Sequence, residues 1–176
     1  MSRIHASELP PNTLLRRYDD GGSYTDCFRT EVGRGATLAA YIEAFYCSWL
    51  FRVERALLRA LARIPSTDLD VERLAAGRVD RFAAWGVEAR GPDQILLRAG
   101  RTRSWLMVVP LVGADARTSL YFGSAIVAKA AARTGKTGLG FGFRALLGFH
   151  TLYSRALLRA ARDRLLASRS AARSAP

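Results

Sequence analysis

Hydrophobic and polar positions follow two different periods along the chain, and the changes of period predict its strands and helices. Residues 1–23 contain Pro10-Pro11, Asp19-Asp20 and Gly21-Gly22, which indicates an irregular N-terminal arm. A period of two predicts a strand over residues 24–32, where Phe28 and Val32 share one face.

A helical period follows this first strand. Apolar residues recur at helical spacing from Leu38 to Leu61, Thr37 can cap the helix, and Pro65 ends it because proline lacks a backbone N–H. Ser66-Thr67-Asp68 offers a second cap, which predicts a short helix that closes at Gly77. We therefore expect two helices directly after the first strand.

The period returns to two after Val79 and predicts four more strands. They cover residues 82–89, 95–99, 103–112 and 120–127, separated by short turns that favour antiparallel neighbours. Alternation places Trp105 and Met107 on one face of their strand. In the last strand it places Phe122 and Ser124 on one face and Tyr121 on the other.

A long final helix is predicted over residues 141–167, followed by a frayed tail at 169–176. Its apolar stripe includes His150, and its other face carries four arginines: Arg155, Arg159, Arg162 and Arg169. The order of elements predicts an α+β fold, in which a curved antiparallel sheet grips the C-terminal helix within a domain at 24–168.

Composition narrows the classes of function. The chain has 176 residues, ordinary for one domain, and a net charge of +12. Residues 129–176 carry +9 of that charge. The arginine stripe of the last helix could make a weak, salt-sensitive contact with an anionic membrane surface, or it could be a solvated face. No stacking aromatic residue interleaves with it, so we expect no specific nucleic-acid binding.

Several chemistries find no support in the sequence. Two cysteines, Cys27 and Cys47, and two histidines cannot assemble a zinc site, and no cofactor motif stands in a suitable context. Residues 130–137 resemble a phosphate loop, but the glycines that follow spoil the helix start that such a loop needs. No apolar signal core precedes Pro10, so we expect a cytoplasmic protein with free thiols. The oligomeric state stays open.

Five stretches of the chain are similar to an uncharacterised bacterial family within the helix-grip superfamily, the START and Bet v 1-like (SRPBCC) proteins. They are Asp26-Cys27-Phe28, Ala44 to Phe51, Arg103 to Leu106, Tyr121 to Ala125 and Arg144 to His150. The resemblance implies a sheet of six or seven strands around a cavity, and relatives that bind lipids, sterols, polyketides or plant hormones. Only five strands are evident from the pattern.

We therefore expect the chain to bind a small hydrophobic molecule between the sheet and the last helix. The candidate ligand-binding residues are Phe45, Trp49, Trp85, Trp105, Tyr121, Phe143, His150, Tyr153 and Arg103. A cyclase-, dehydratase- or isomerase-like enzyme is the alternative, with His150 as acid or base and Tyr121 or Tyr153 as proton donor. A core histidine satisfied by one hydroxyl or carbonyl, or a structural interaction domain, would also fit this sequence.

Overall fold

The structure is a computed structural model that describes residues 3–19, 23–111, 116–127 and 141–173. Within these residues seven strands form one antiparallel sheet in the order β1-β2-β7-β6-β5-β4-β3. Their bounds are β1 His5–Ala6, β2 Tyr24–Val32, β3 Arg81–Phe82, β4 Trp85–Arg90, β5 Gln94–Ala99, β6 Thr102–Leu111 and β7 Arg117–Ile126. The predicted α+β class, with its curved antiparallel sheet and C-terminal helix, is confirmed.

The two strands that the pattern missed are both two residues long. One is β1 in the N-terminal arm, which pairs with β2. The other is β3, because the strand predicted over residues 82–89 folds back at Ala83 and Phe82 pairs with Trp85. Ala83 has a positive φ of 49°, a conformation that glycine usually supplies. Because alanine takes this position, no glycine in the sequence marks the turn.

The helix predicted from Leu38 to Leu61 is two helices. α1 spans Leu38–Tyr46 and α2 spans Trp49–Ala62, and the side chain of Ser48 caps α2 by accepting a hydrogen bond from the backbone N–H of Phe51 at 3.3 Å. The short α3, Asp68–Ala75, begins with a capping box between Thr67 and Asp70.

The sheet has a packed core on each face. Phe28, Phe122 and other apolar residues of one face pack against α1, α3 and the C-terminal helix. On the opposite face, Leu15 of a 3-10 helix at Leu14–Tyr18 packs against Trp105 and its neighbours. The N-terminal arm, expected to be irregular, therefore covers one side of the sheet.

The C-terminal helix, α4, spans Phe141–Arg173 and so extends beyond the predicted end at residue 167. It packs against α1, α2, β2 and β7. The expectation that four arginines form one outward stripe on α4 is wrong, since Arg162 is only 3% exposed and pairs with Asp163 at 2.7 Å. Arg155 and Arg159 are exposed, while the side chain of Arg169 and residues 130–137, which resemble a phosphate loop in sequence, lie outside the described residues.

Candidate functional site

A cavity of about 530 Å³ lies between α2, α4 and the face of the sheet that carries Phe122. Its walls are mainly apolar, and Phe45, Trp85, Phe122 and Leu157 supply much of them. Val53 and Leu57 of α2 border the cavity while being about half exposed, so the cavity opens to solvent beside α2. This size falls within the roughly 300–1,000 Å³ that is typical of small-molecule sites.

A chain of three polar side chains from different elements borders the cavity through two of them, Ser124 and His150. Ser124 of β7 lies with its Oγ 2.7 Å from Asp26 Oδ1 of β2 and 2.7 Å from His150 Nε2 of α4. Asp26 Oδ2 lies 3.4 Å from His150 Nε2. The register places Asp26 directly opposite Ser124, so the pairing of β2 with β7 builds this contact.

The proton positions in this chain follow from the inventory of donors. Ser124 has one O–H, and it donates to the Asp26 carboxylate, which also accepts from the Ser124 backbone N–H at 3.0 Å. The Ser124 oxygen then accepts from His150, whose Nε2 carries the proton. Ser124 is therefore not prepared as a nucleophile, because its proton goes to the carboxylate and its histidine is a donor.

Burial makes Asp26 an unusual acid. Its removal from water raises the pKa of its carboxyl above the ordinary value, although the hydrogen bonds from Ser124 and the charge of His150 counteract part of this effect. The side chain of Asp26 is only 8% exposed, whereas that of His150 is 24% exposed and reaches the cavity. The imidazole thus connects a buried acid with the open space of the cavity.

A second acid, Glu54, is partly buried in the wall of the cavity that α2 supplies. Glu54 accepts a hydrogen bond from the Tyr153 hydroxyl at 2.5 Å. Burial raises the pKa of Glu54, and the Tyr153 hydrogen bond lowers it in part. The pKa of the Tyr153 phenol is raised in turn, by burial and by its bond to Glu54. Since Tyr153 follows His150 by one helical turn, α4 brings both polar groups to the cavity.

Ser154 adds an unsatisfied group to the same wall. Its side chain is 1% exposed and borders the cavity, and its hydroxyl has no hydrogen-bond partner among the residues that the structure describes. Buried hydroxyls normally have a partner.

Five of the predicted ligand-binding residues border the cavity. They are Phe45, Trp85, Arg103, His150 and Tyr153. The guanidinium of Arg103 is already engaged, however, because its Nε lies 2.6 Å from Glu88 Oε2 and donates to the Tyr18 hydroxyl at 3.0 Å. Arg103 is thus committed to an internal ion pair and is a poor receptor for an anionic ligand group.

The structure places three predicted residues elsewhere. Trp105 and Tyr121 lie on the opposite face of the sheet, in the core beneath Leu15, because Trp105 pairs with Gly123 and so shares its face. Trp49 is 70% exposed on the outside of α2. The side chain of Phe143 lies outside the described residues.

Sequence reasoning missed Asp26 and Glu54 as members of the site. Asp26 lies two residues from Phe28 on the inward face of a predicted strand, and an acid on an apolar face is a signal of a buried polar site. Glu54 is the one acid in the sequence of α2, but nothing in its spacing indicates which way it points.

No protein-family model matches the chain, and no curated protein matches it. Among solved structures, the chain is similar to CalU16 from Micromonospora echinospora, with 15% identity over 95% of this chain and 94% of that one, at a TM-score of 0.33. At this TM-score the fold class rests on the strand order and helices of the chain itself.

No helix among the described residues is long and apolar enough to cross a membrane. No group of three or more potential metal-ligating side chains occurs in that part of the chain.

Proposed function

We propose that the chain binds a small, mainly hydrophobic molecule with a polar group, in the cavity between the sheet and α4. The observation that carries the proposal is a mainly apolar cavity of about 530 Å³ with a few polar side chains in its wall, among them Ser124, His150 and Tyr153. The resemblance to the START and Bet v 1-like proteins supports it, since a helix gripped by a curved sheet encloses the ligand in that superfamily. We infer a cytoplasmic location, which agrees with the free buried thiols of Cys27 and Cys47.

The distribution of polar atoms suggests how the molecule lies. Its apolar part would contact Phe45, Phe122 and Leu157, where burial of apolar surface drives binding. Its polar group would lie near His150, whose imidazole borders the cavity. A hydroxyl group suits this neighbour, because the ring nitrogen that does not contact Ser124 accepts a hydrogen bond when Nε2 carries the proton.

Native mass spectrometry of the protein purified from its own host tests the proposal. We expect a co-purifying molecule, and we expect Ala99→Phe, which places a ring at the cavity wall, to reduce its occupancy at least tenfold. Ala89→Phe is the matched control, since Ala89 is also half-buried in the sheet but packs on the opposite face. The proposal fails if wild-type protein carries no small molecule and binds no neutral apolar fluorophore, or if the two variants retain the molecule equally.

A second candidate is acid–base catalysis in the same cavity. It is favoured by two acids with raised pKa: Asp26, which contacts His150, and Glu54, which borders the same cavity. His150 would exchange a proton with the bound molecule, as a cyclase, dehydratase or isomerase requires. Tyr121 has no part in this version, because it lies on the other face of the sheet.

The two candidates differ in the fate of the bound molecule. If catalysis occurs, incubation with the co-purified molecule yields a product of changed structure, and His150→Gln abolishes product formation while binding persists. Recovery of an unchanged molecule from wild-type protein would leave binding alone as the function.

A further inference from the structure

The outer side of α2 carries a line of exposed apolar side chains, which we call the α2 stripe. It consists of Trp49, Val53, Leu57 and Leu61, which are 70%, 51%, 55% and 83% exposed. Their spacing of four residues keeps them on one side of the helix over about 18 Å. The opposite side of α2 is buried through Phe51 and Arg55, so the helix is anchored with its stripe outward.

Positive charge accompanies the α2 stripe. Arg59 and Arg63 are exposed at the C-terminal half of α2 and have no ion-pair partner among the described residues, whereas Arg52 pairs with Asp68. The one acid of α2, Glu54, is directed to Tyr153 in the cavity and adds no negative charge to the outer side. Arg59 follows Arg55 by one turn and borders a groove with Arg52 and Asp68, so the cationic edge of α2 is the flank beside the stripe and carries no stripe residue. The outer side of α2 itself is apolar.

We propose that the α2 stripe docks on an anionic lipid bilayer surface. A helix that lies in the membrane interface has this composition, with tryptophan and aliphatic residues toward the acyl chains and arginines toward the phosphates. A chain of net charge +12 is attracted to such a surface as a whole. A second copy of the chain fits less well, because pairing two stripes brings the arginine edges of two cationic molecules together.

Docking through α2 also orients the cavity. Val53 and Leu57 belong to the stripe and to the border of the cavity, so the cavity would open toward the bilayer. The docking itself does not depend on a ligand, and it is tested without one.

Co-sedimentation with vesicles tests the docking. We expect the protein to pellet with phosphatidylglycerol–phosphatidylcholine vesicles, to pellet much less with phosphatidylcholine alone, and to be released as salt screens the charges. In vesicles with brominated lipids, the tryptophan fluorescence should be quenched mainly at Trp49, which is 70% exposed. Trp85 and Trp105 are buried, at 9% and 0% exposure, and should contribute little to the quenching. Loss of this quenching in Trp49→Phe would assign the signal to the stripe.

Matched variants separate the stripe from general positive charge. Arg59→Gln with Arg63→Gln should lower partitioning at least about tenfold, because each arginine near an anionic surface contributes roughly fivefold. Leu61→Asp should lower it by a similar factor, since it places a charge within the apolar stripe. The control is Arg155→Gln with Arg159→Gln, which removes the same charge from exposed positions on α4. Leu152→Asp, at another exposed leucine, is the control for Leu61→Asp.

Three outcomes would overturn the proposal. The first is no pelleting at low salt. The second is an equal loss in the α2 and α4 variants, which would assign the attraction to net charge. The third is a concentration-dependent dimer in the absence of lipid that Leu61→Asp abolishes, which would make a second copy the occupant of the stripe. Unchanged far-ultraviolet circular dichroism verifies that each variant is folded.

Discussion

At the scale of single residues, Gly123 shows how tightly the sheet is packed behind the cavity. A Cβ atom at this position would lie 2.8 Å from the backbone oxygen of Asp26 and 2.7 Å from Leu15 Cδ2. Neither distance is compatible with normal van der Waals packing, and the Asp26 oxygen belongs to a paired strand that cannot move freely. Glycine at this position therefore allows the close approach of β2 and β7 that sets Asp26 beside Ser124.

We predict that Gly123→Ala lowers the free energy of unfolding by about 2 kcal/mol, the usual cost of an extra carbon in a packed site. Urea denaturation measures this change. Gly33→Ala is the control, because a Cβ at Gly33 meets nothing within 4 Å and its φ is not positive. Equal stability of the two variants would contradict the prediction.

Glu54 gives a prediction on pH dependence. Burial raises the pKa of Glu54 in the folded chain above its ordinary value of 4.5. The folded state therefore binds the proton of the Glu54 carboxyl more tightly than the unfolded state does. Its contribution to the free energy of unfolding falls as the pH rises from the ordinary pKa to the raised one.

Glu54→Gln removes this titration and keeps an oxygen that accepts from Tyr153. We predict that the free energy of unfolding of the variant, minus that of wild type, increases as the pH rises from about 4 to 7. Urea denaturation at a series of pH values measures this, and groups common to both proteins cancel in the difference. Two parallel stability curves would show that Glu54 titrates normally.

At the scale of elements, the pattern predicted five strands and the C-terminal helix because each carries several apolar positions in phase. It missed β1 and β3 because two residues cannot display a period. It joined α1 to α2 because apolar positions continue past Cys47, and Ser48 looks like an interior residue until its cap is seen. The break changes the direction of the helix, so Trp49 continues the apolar spacing of Phe45 but is exposed.

The sequence predicts those residues of the candidate site that lie on the apolar side of α4, but not those whose position depends on the register or the facing of a strand. His150 and Tyr153 were found because helical spacing puts them on the inner side of α4, and both border the cavity. Trp105 and Tyr121 were misplaced because alternation separates the two faces of a strand without indicating which face meets the helix. The chain from Asp26 to His150 joins residues far apart in sequence, and only the register of β2 on β7 brings them together.

At the scale of the whole molecule, one sheet separates two environments. On one face lies the cavity, with the partly buried Glu54 in its wall and the buried Asp26 in contact with His150 of that wall. On the other face the N-terminal arm closes a compact core, in which Gln94 accepts hydrogen bonds from Trp105 Nε1 and from the Leu14 backbone N–H, each at 2.9 Å. The N-terminal arm therefore packs on the face of the sheet opposite to the one that borders the cavity.

This arrangement predicts that stability and ligand binding respond differently to a change under the arm. Leu15 is fully buried in the core of the second face, so Leu15→Ala should lower the free energy of unfolding by about 2–4 kcal/mol. In a Trp49→Phe background, it should also shift tryptophan emission to longer wavelength, because water gains access to Trp105. Leu152→Ala, at a side chain that is 68% exposed, is the control and should change neither quantity.

The same variant measures how independent the two faces are. Under conditions where Leu15→Ala is folded, its affinity for the neutral apolar fluorophore should stay within about twofold of wild type, since no residue of the second core borders the cavity among those described and distant sites act additively. A fall in affinity together with stability would mean that the arm shapes the cavity through Gly123 and Ser124. Fluorescence titration of both proteins at matched folded fractions distinguishes these results, because unfolding lowers the number of sites and a distorted cavity lowers their affinity.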